Sequence, residues 1–316
     1  MKLVRYTTSG RVEVVEASEP RLPAGGIVVQ ALACGLCSGE LMSWYMEAKA
    51  PHVLGHEVAG RVVESDSELF PVGALVVPHH HAACGECAEC RSGREVACPP
   101  WRANALSPGG MAERFAVSAV GLADCHRCDD VDAIDAALAE PVACVVKSVE
   151  RAGGEGSCAV VGLGSLGIAH LLLRPGSVGY DTNPTRREWA LRLGLDARRP
   201  EEAEPARTWF VCPGSAEAMG FAMSHLLHDA TVVLFAPMPP GEATPVDLHS
   251  SYFRDVRLVA SYSCGPSHMA RAIESIRAGT VRARHLVSTF VTMDGLPGAY
   301  HEMSAGGILK AMVVTS

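Results

Sequence analysis

Lysine is nearly missing from this chain: of 27 basic residues only Lys2, Lys49, Lys147 and Lys310 are lysines, a skew that carries no functional reading by itself. Long apolar runs are also missing. Stretches such as 231–237 fall well short of the roughly 20 residues a membrane-spanning helix needs. The opening residues, Met1-Lys2-Leu3-Val4-Arg5-Tyr6, read as a strand and not as an apolar leader, so a cytoplasmic protein without a membrane partner is expected. There is no excess of positive charge. The net charge is −8 at pH 7, which argues against nucleic acid as the main partner. No repeat at solenoid periods and no low-complexity segment occurs.

What is present is a chain of 316 residues, 48% of them hydrophobic, enough for two domains with their own cores. Twelve cysteines suit either a disulfide framework or metal ligation; the length and the Cys-x-x-Cys clustering favour metal in a reducing compartment. The strongest cluster is Cys84, Cys87, Cys90 and Cys98. Four thiolates this closely spaced can close a tetrahedral zinc shell and fold a loop that lacks a core. A closed shell leaves no place for a substrate, so this zinc reads as structural; an iron–sulfur cluster is the other chemistry such a set can hold. A second group of zinc-type donors is Cys37, His56 and Glu57, with Glu140 far along the chain. Taken singly, each has an ordinary structural reading. Together they can hold a metal with one position open.

The first 120 residues alternate in short β-branched runs with irregular loops, a β-rich domain. From 132 to 152 the chain is Ala-rich with helical spacing. From Cys158 onward strand, turn and helix repeat, with strands expected at 159–161, 178–180, 209–211, 231–235 and 256–260 and helices at 166–173, 185–193, 215–227 and 268–278. That alternation predicts an α/β fold with a doubly wound parallel sheet. The turn Gly162-Leu163-Gly164-Ser165-Leu166-Gly167 follows the first of these strands and opens a helix, and Asp181 ends the next strand. Strand, glycine turn, helix and distal acid form a dinucleotide-binding fingerprint: the glycines let pyrophosphate approach the helix N-terminus, and the acid accepts from the adenosine ribose. A carboxylate there repels a 2′-phosphate, so NAD is expected over NADP.

In this order the motifs resemble the zinc-dependent medium-chain alcohol dehydrogenase family over nearly the whole chain, nearest its polyol and threonine dehydrogenase branch. The segments that carry the likeness are 34–40, Gly55-His56-Glu57, the cysteine cluster, 108–113, Glu140 to Cys144, the glycine turn and Ile308-Leu309-Lys310. The resemblance implies a GroES-like catalytic domain at 1–143, a Rossmann domain at 144–264 and a return to the catalytic domain at 265–316. It implies two zinc ions per chain. Cys37, His56, Glu57 and Glu140 match the catalytic zinc set, Glu40 an acid that orients the zinc histidine, and Lys310 a basic residue that contacts the cofactor phosphates. It also implies a small-molecule alcohol or carbonyl substrate and a homodimer or homotetramer.

Two departures stand out. The hydroxyl that usually follows the zinc cysteine by two residues is replaced by Gly39, with Ser38 beside it; either Ser38 takes over the proton relay or, as expected here, the relay is rebuilt through water and Glu57. Only thirteen residues separate Gly167 from Asp181, so the intervening helix must be short. The run His79-His80-His81 is able to seek metal but reads more simply as a loop near the zinc cleft or on the surface. The resulting expectation is an alcohol dehydrogenase that passes hydride between a secondary alcohol, such as a polyol, and NAD. An aldehyde or ketone reductase and a non-catalytic NAD- and zinc-binding protein are the rivals.

Overall fold

Ile27–Gly35 is apolar at nearly every position and buried along most of its length, the signature of a strand covered on both faces. In the computed structural model, which describes residues 1–102 and 106–315, it is the central strand of an eight-stranded sheet. It pairs antiparallel with Glu57–Ser65, Arg114–Val117 and the C-terminal Ala311–Val314. A separate three-stranded sheet is built from Lys2–Tyr6, Val12–Glu16 and His52–Val53. The register Gly35↔Glu57 matters most for function: it brings the end of one strand, where Cys37 follows, beside the start of another, where His56 precedes. Val29, Leu36, Leu54, Val58, Met111, Phe115 and Leu296 pack the core beneath.

The chain divides into two compact units, Met1–Ala143 with Cys264–Ser316, and Cys144–Ser263. Cys264 thus belongs to the first unit, although the sequence reading places it last in the middle segment. The second unit is a six-stranded parallel sheet in the order Asp196–Arg198, Val178–Tyr180, Cys158–Val161, Ala206–Val211, Leu226–Leu234, Arg257–Ala260. The strand order reverses between Cys158–Val161 and Ala206–Val211, the switch point at which doubly wound sheets bind ligands. The helix after the glycine turn is Ser165–Leu173, short as the sequence spacing requires. A side-chain carbon on Gly167 would collide with the Gly162 carbonyl, so only glycine closes this turn.

Element edges differ from the sequence reading in physically readable ways. The helical stretch 132–152 is broken into Ala133–Ala136, capped by Asp132, and Ala139–Ala152. Pro141 lies in the first turn of the second helix, where no backbone N–H is required. The helix expected at 215–227 ends at Ser224, because Leu226 already belongs to the next strand. The edge strand Asp196–Arg198 escapes a pattern search: two of its three residues are charged and pair with each other at 2.8 Å.

His170, on the helix Ser165–Leu173, is fully buried against Phe210 and Phe235. Its Nδ1 donates to the Leu166 carbonyl at 2.7 Å and its Nε2 accepts from Ser148 Oγ at 2.6 Å. Burial pushes its pKa down to about 4. In the unfolded chain the ring takes up its proton near the ordinary value of about 6.5, so its contribution to stability is lost as pH falls from about 6.5 to about 4. Urea unfolding should therefore show wild-type protein losing about 3 kcal/mol more than His170→Gln over that window. Equal losses would mean that the ring is already charged in the fold.

Candidate metal centres and cofactor turn

Cys37 caps the short 3-10 turn Ser38–Leu41, and its Sγ accepts the Gly39 amide at 3.3 Å. The position that lacks a hydroxyl therefore serves through its backbone. Glu40, on the same turn, is buried, and its Oε1 accepts the Gly55 amide at 2.7 Å while Oε2 accepts the Cys37 amide at 3.3 Å. His56 Nδ1 faces the same carboxylate at 3.5 Å, which leaves Nε2 for a metal. Burial pushes the Glu40 carboxyl up, but His56 and the two amides hold it below the ordinary carboxylate range. Gly55 has φ +94°, and a side chain there would strike the Met111 backbone, so glycine is required where the chain enters the His56 strand.

The ligand atoms of Cys37, His56 and Glu57 lie within 4.8 Å of one another. Glu140 forms a second such group with His56 and His80, and a third with His79 and Cys264. These thiol, imidazole and carboxylate donors are the chemistry zinc takes, and His80 Nδ1 and His81 Nδ1 are buried without a hydrogen-bond partner in the described residues. Glu57 is buried, with Oε2 2.5 Å from Lys310 Nζ, and Lys310 also donates to the Leu36 carbonyl at 3.1 Å. Lys310, expected to reach the cofactor phosphates, is thus turned inward and only 2% exposed. The Glu57 charge keeps its ammonium protonated against the opposing effect of burial. Ser38 is exposed on the turn and joins none of these groups.

Of the two placements the sequence allowed for the histidine run, the structure has the one beside His56 and Glu140 and not the surface one. The run follows the strand Leu75–Pro78; His79 is buried, His80 and His81 are half-buried, the His80 ring lies 4.5 Å from that of His56, and the His81 ring lies 3.8 Å from that of Trp101. Its metal-seeking character was visible in the sequence, whereas its burial depends on long-range packing. Cys264 carried no local signal at all.

Cys84, Cys87, Cys90 and Cys98 form their own group. Sulfur separations are 3.5 Å for Cys84–Cys98, 3.5 Å for Cys87–Cys90 and 4.0 Å for Cys84–Cys90. A zinc ion with sulfurs at about 2.3 Å in a tetrahedron sets them about 3.8 Å apart. Beneath the thiols, among the described residues, Ala83, Cys98 and Trp101 make a small buried apolar cluster.

In the second unit, Asp181 follows Val178–Tyr180 and is 7% exposed. Its carboxylate accepts the Leu163 amide at 2.7 Å and the Asn183 amide at 2.7 Å. The glycine turn and the acid are therefore one hydrogen-bonded piece. Gly162 closes the turn onto the Tyr180 carbonyl at 2.8 Å, and Gly164 precedes the helix that begins at Ser165.

The model of the alcohol dehydrogenase GroES-like domain matches residues 23–127. The D-altritol 5-dehydrogenase of Agrobacterium fabrum is 32% identical over 287 residues, covering 83% of this chain and 84% of that one. The chain belongs to the zinc-dependent medium-chain alcohol dehydrogenase family. The L-threonine 3-dehydrogenase of Thermococcus kodakarensis is 28% identical over 210 residues, 62% of this chain and 60% of that protein. A zinc-binding dehydrogenase of Sinorhizobium meliloti, solved with NADP, has the same fold, with a TM-score of 0.86 at 23% identity over 99% of both chains. Membership makes the protein an oxidoreductase of the zinc-dependent type and accounts for the pairing of a β-rich unit with a parallel dinucleotide-type sheet.

Because so little apolar surface lies under the four thiols, a metal bound to them would supply the fold of this loop. Cys98→Ser, or exhaustive chelation, should raise proteolytic nicking within 84–102 while the second unit keeps its cooperative unfolding. Limited proteolysis read by mass spectrometry checks this, and a loop equally resistant without metal would contradict it.

Proposed function

We propose that the protein is an NAD-linked alcohol dehydrogenase that oxidises a polyol or similar secondary alcohol at a metal held by Cys37, His56, Glu57 and Glu140, with a second, structural zinc on Cys84, Cys87, Cys90 and Cys98. The observation that carries this reading is the convergence of Cys37, His56 and Glu57 within 4.8 Å around the buried Glu40. The similarity to a D-altritol dehydrogenase supports a polyol as the substrate class.

Zinc at such a donor set lowers the pKa of a bound alcohol. The protein's own part is orientation and charge. Glu40 fixes the His56 ring and draws the turn carrying Cys37 toward the His56 strand. Lys310 holds the Glu57 carboxylate and offsets its charge. We infer that the alcohol proton leaves through water and Glu57 and not through Ser38, since Ser38 is exposed. Gly162 to Gly167 would take the pyrophosphate, and Asp181 the adenosine ribose, favouring NAD. The clustering of Cys84, Cys87, Cys90 and Cys98 into one metal-type group supports a reducing cytoplasm as the setting. The edge strand Arg257–Ala260, with Leu258 44% exposed and Tyr252 and Phe253 exposed nearby, supports assembly into a dimer or tetramer along the open sheet edge.

NADH formation on a panel of polyols, secondary alcohols and 2-amino-3-hydroxy acids tests the activity; a chain that binds NADH but turns over none of them in either direction would be a binding protein. Ser38→Ala should keep kcat/KM within about tenfold, whereas Glu57→Ala should cost on the order of a hundredfold, the scale of a positioned acid–base group. An inactive Ser38→Ala enzyme with its metal intact would assign the relay to the serine. For the cofactor, Asp181→Ala should narrow the preference for NAD over NADP by about 1–3 kcal/mol. Tighter binding of NADPH than NADH by wild-type protein would overturn this assignment.

A further inference from the structure

We propose that the chain binds a third, zinc-type metal ion at His79, Cys264 and Glu140, in the core of the first unit. All three side chains are buried, His79 and Cys264 completely, and their ligand atoms lie within 4.8 Å of one another. His79 Nδ1 donates to Asp124 Oδ2 at 2.7 Å, and Asp124 is itself buried and accepts from His126 Nε2 at 2.9 Å through its other oxygen. That contact fixes the ring's orientation and leaves Nε2 facing Cys264 Sγ at 3.6 Å. A carboxylate that aims a histidine in this way is the usual outer partner of a metal-bound imidazole.

The spacing suits a metal. A zinc ion with sulfur at about 2.3 Å and nitrogen at about 2.1 Å, at the tetrahedral angle, holds those two donors about 3.6 Å apart. The Glu140 carboxylate completes three protein ligands and leaves a fourth position open. The surroundings favour a cation as well: two buried carboxylates, Asp124 and Glu140, and a thiol stand together. Metal binding would release the Cys264 proton to solvent and replace a thiol–imidazole contact with two bonds to the ion.

Glu140 also stands within the same distance of His56 and His80. It is therefore shared between this site and the family's catalytic set, and an ion on His79 and Cys264 would restrain the carboxylate that the catalytic metal uses. The site itself does not rest on the proposed substrate or on turnover.

The experiment is metal content together with anomalous scattering at the zinc edge, on full-length protein purified without chelator and dialysed in zinc-containing and then zinc-free buffer. About three zinc ions per chain are expected, one with an anomalous peak at bonding distance from His79 Nε2 and Cys264 Sγ. Cys264→Ala should lose that ion alone and retain the ions on Cys37–His56 and Cys84–Cys98. Two ions in wild-type protein, with no peak between His79 and Cys264, would overturn the proposal and leave a Cys264–His79–Asp124 hydrogen-bond chain. Crystals of wild-type protein decide the matter even if the variant does not fold. A wild-type chain holding three ions but lacking dehydrogenase activity would support this site and count against the proposed function.

Discussion

The buried carboxylate of Glu40 is the contact on which the rest of the first unit's chemistry depends. It gathers the Cys37 amide, the Gly55 amide and the His56 ring, and so joins a turn after one strand to the entrance of another. A buried carboxylate is costly unless its oxygens are fully engaged, and here each oxygen has a donor. The same contacts that make the carboxylate tolerable fix the positions of Cys37 and His56, two of the candidate metal donors. The backbone of Glu40 is held as well, since the Tyr300 hydroxyl donates to its carbonyl at 2.8 Å. Residues from the two ends of the chain are thereby tied to one turn.

How far the sequence made this legible depended on whether a feature was local. The cysteine cluster, the glycine turn and the Gly55-His56-Glu57 segment carry their chemistry in contiguous spacing, and the parallel sheet follows from alternating periodicity. The inward pairing of Lys310 was not legible because its place in the motif says which residue type stands there and not which way the side chain turns; its partner Glu57 is more than 250 positions away. The histidine run was recognised as chemically capable and as lying near the cleft or on the surface; the choice between the two, and the burial of His79, is set by packing with Asp124, Trp101 and Cys264. The strand Asp196–Arg198 lacked an apolar pattern because it lies at a sheet edge, where charged residues are at ease.

The second unit economises on length without losing the geometry of its turn. The helix Ser165–Leu173 is short, yet Asp181 still reaches the Leu163 amide at 2.7 Å. A fully buried histidine on that helix, bonded to Ser148, supplies polar anchoring within a short, apolar segment. Substituting a hydrogen-bonded ring for additional apolar turns makes the helix sensitive to protons in a way that a longer aliphatic helix is not.

The lobe around Cys84 has a further consequence for how the protein is made. Among the described residues its buried apolar cluster amounts to Ala83, Cys98 and Trp101, too little to hold a loop of this size, so with the proposed structural zinc its shape would be decided by metal supply during synthesis and not by burial. Chains made in zinc-starved cells would emerge with a formed parallel sheet and an open, thiol-rich flap. In such a population the exposed thiols are the first targets of oxidants, and disulfides formed among them would block later metal entry. The cell's zinc and redox history would then be recorded in the fraction of molecules able to mature.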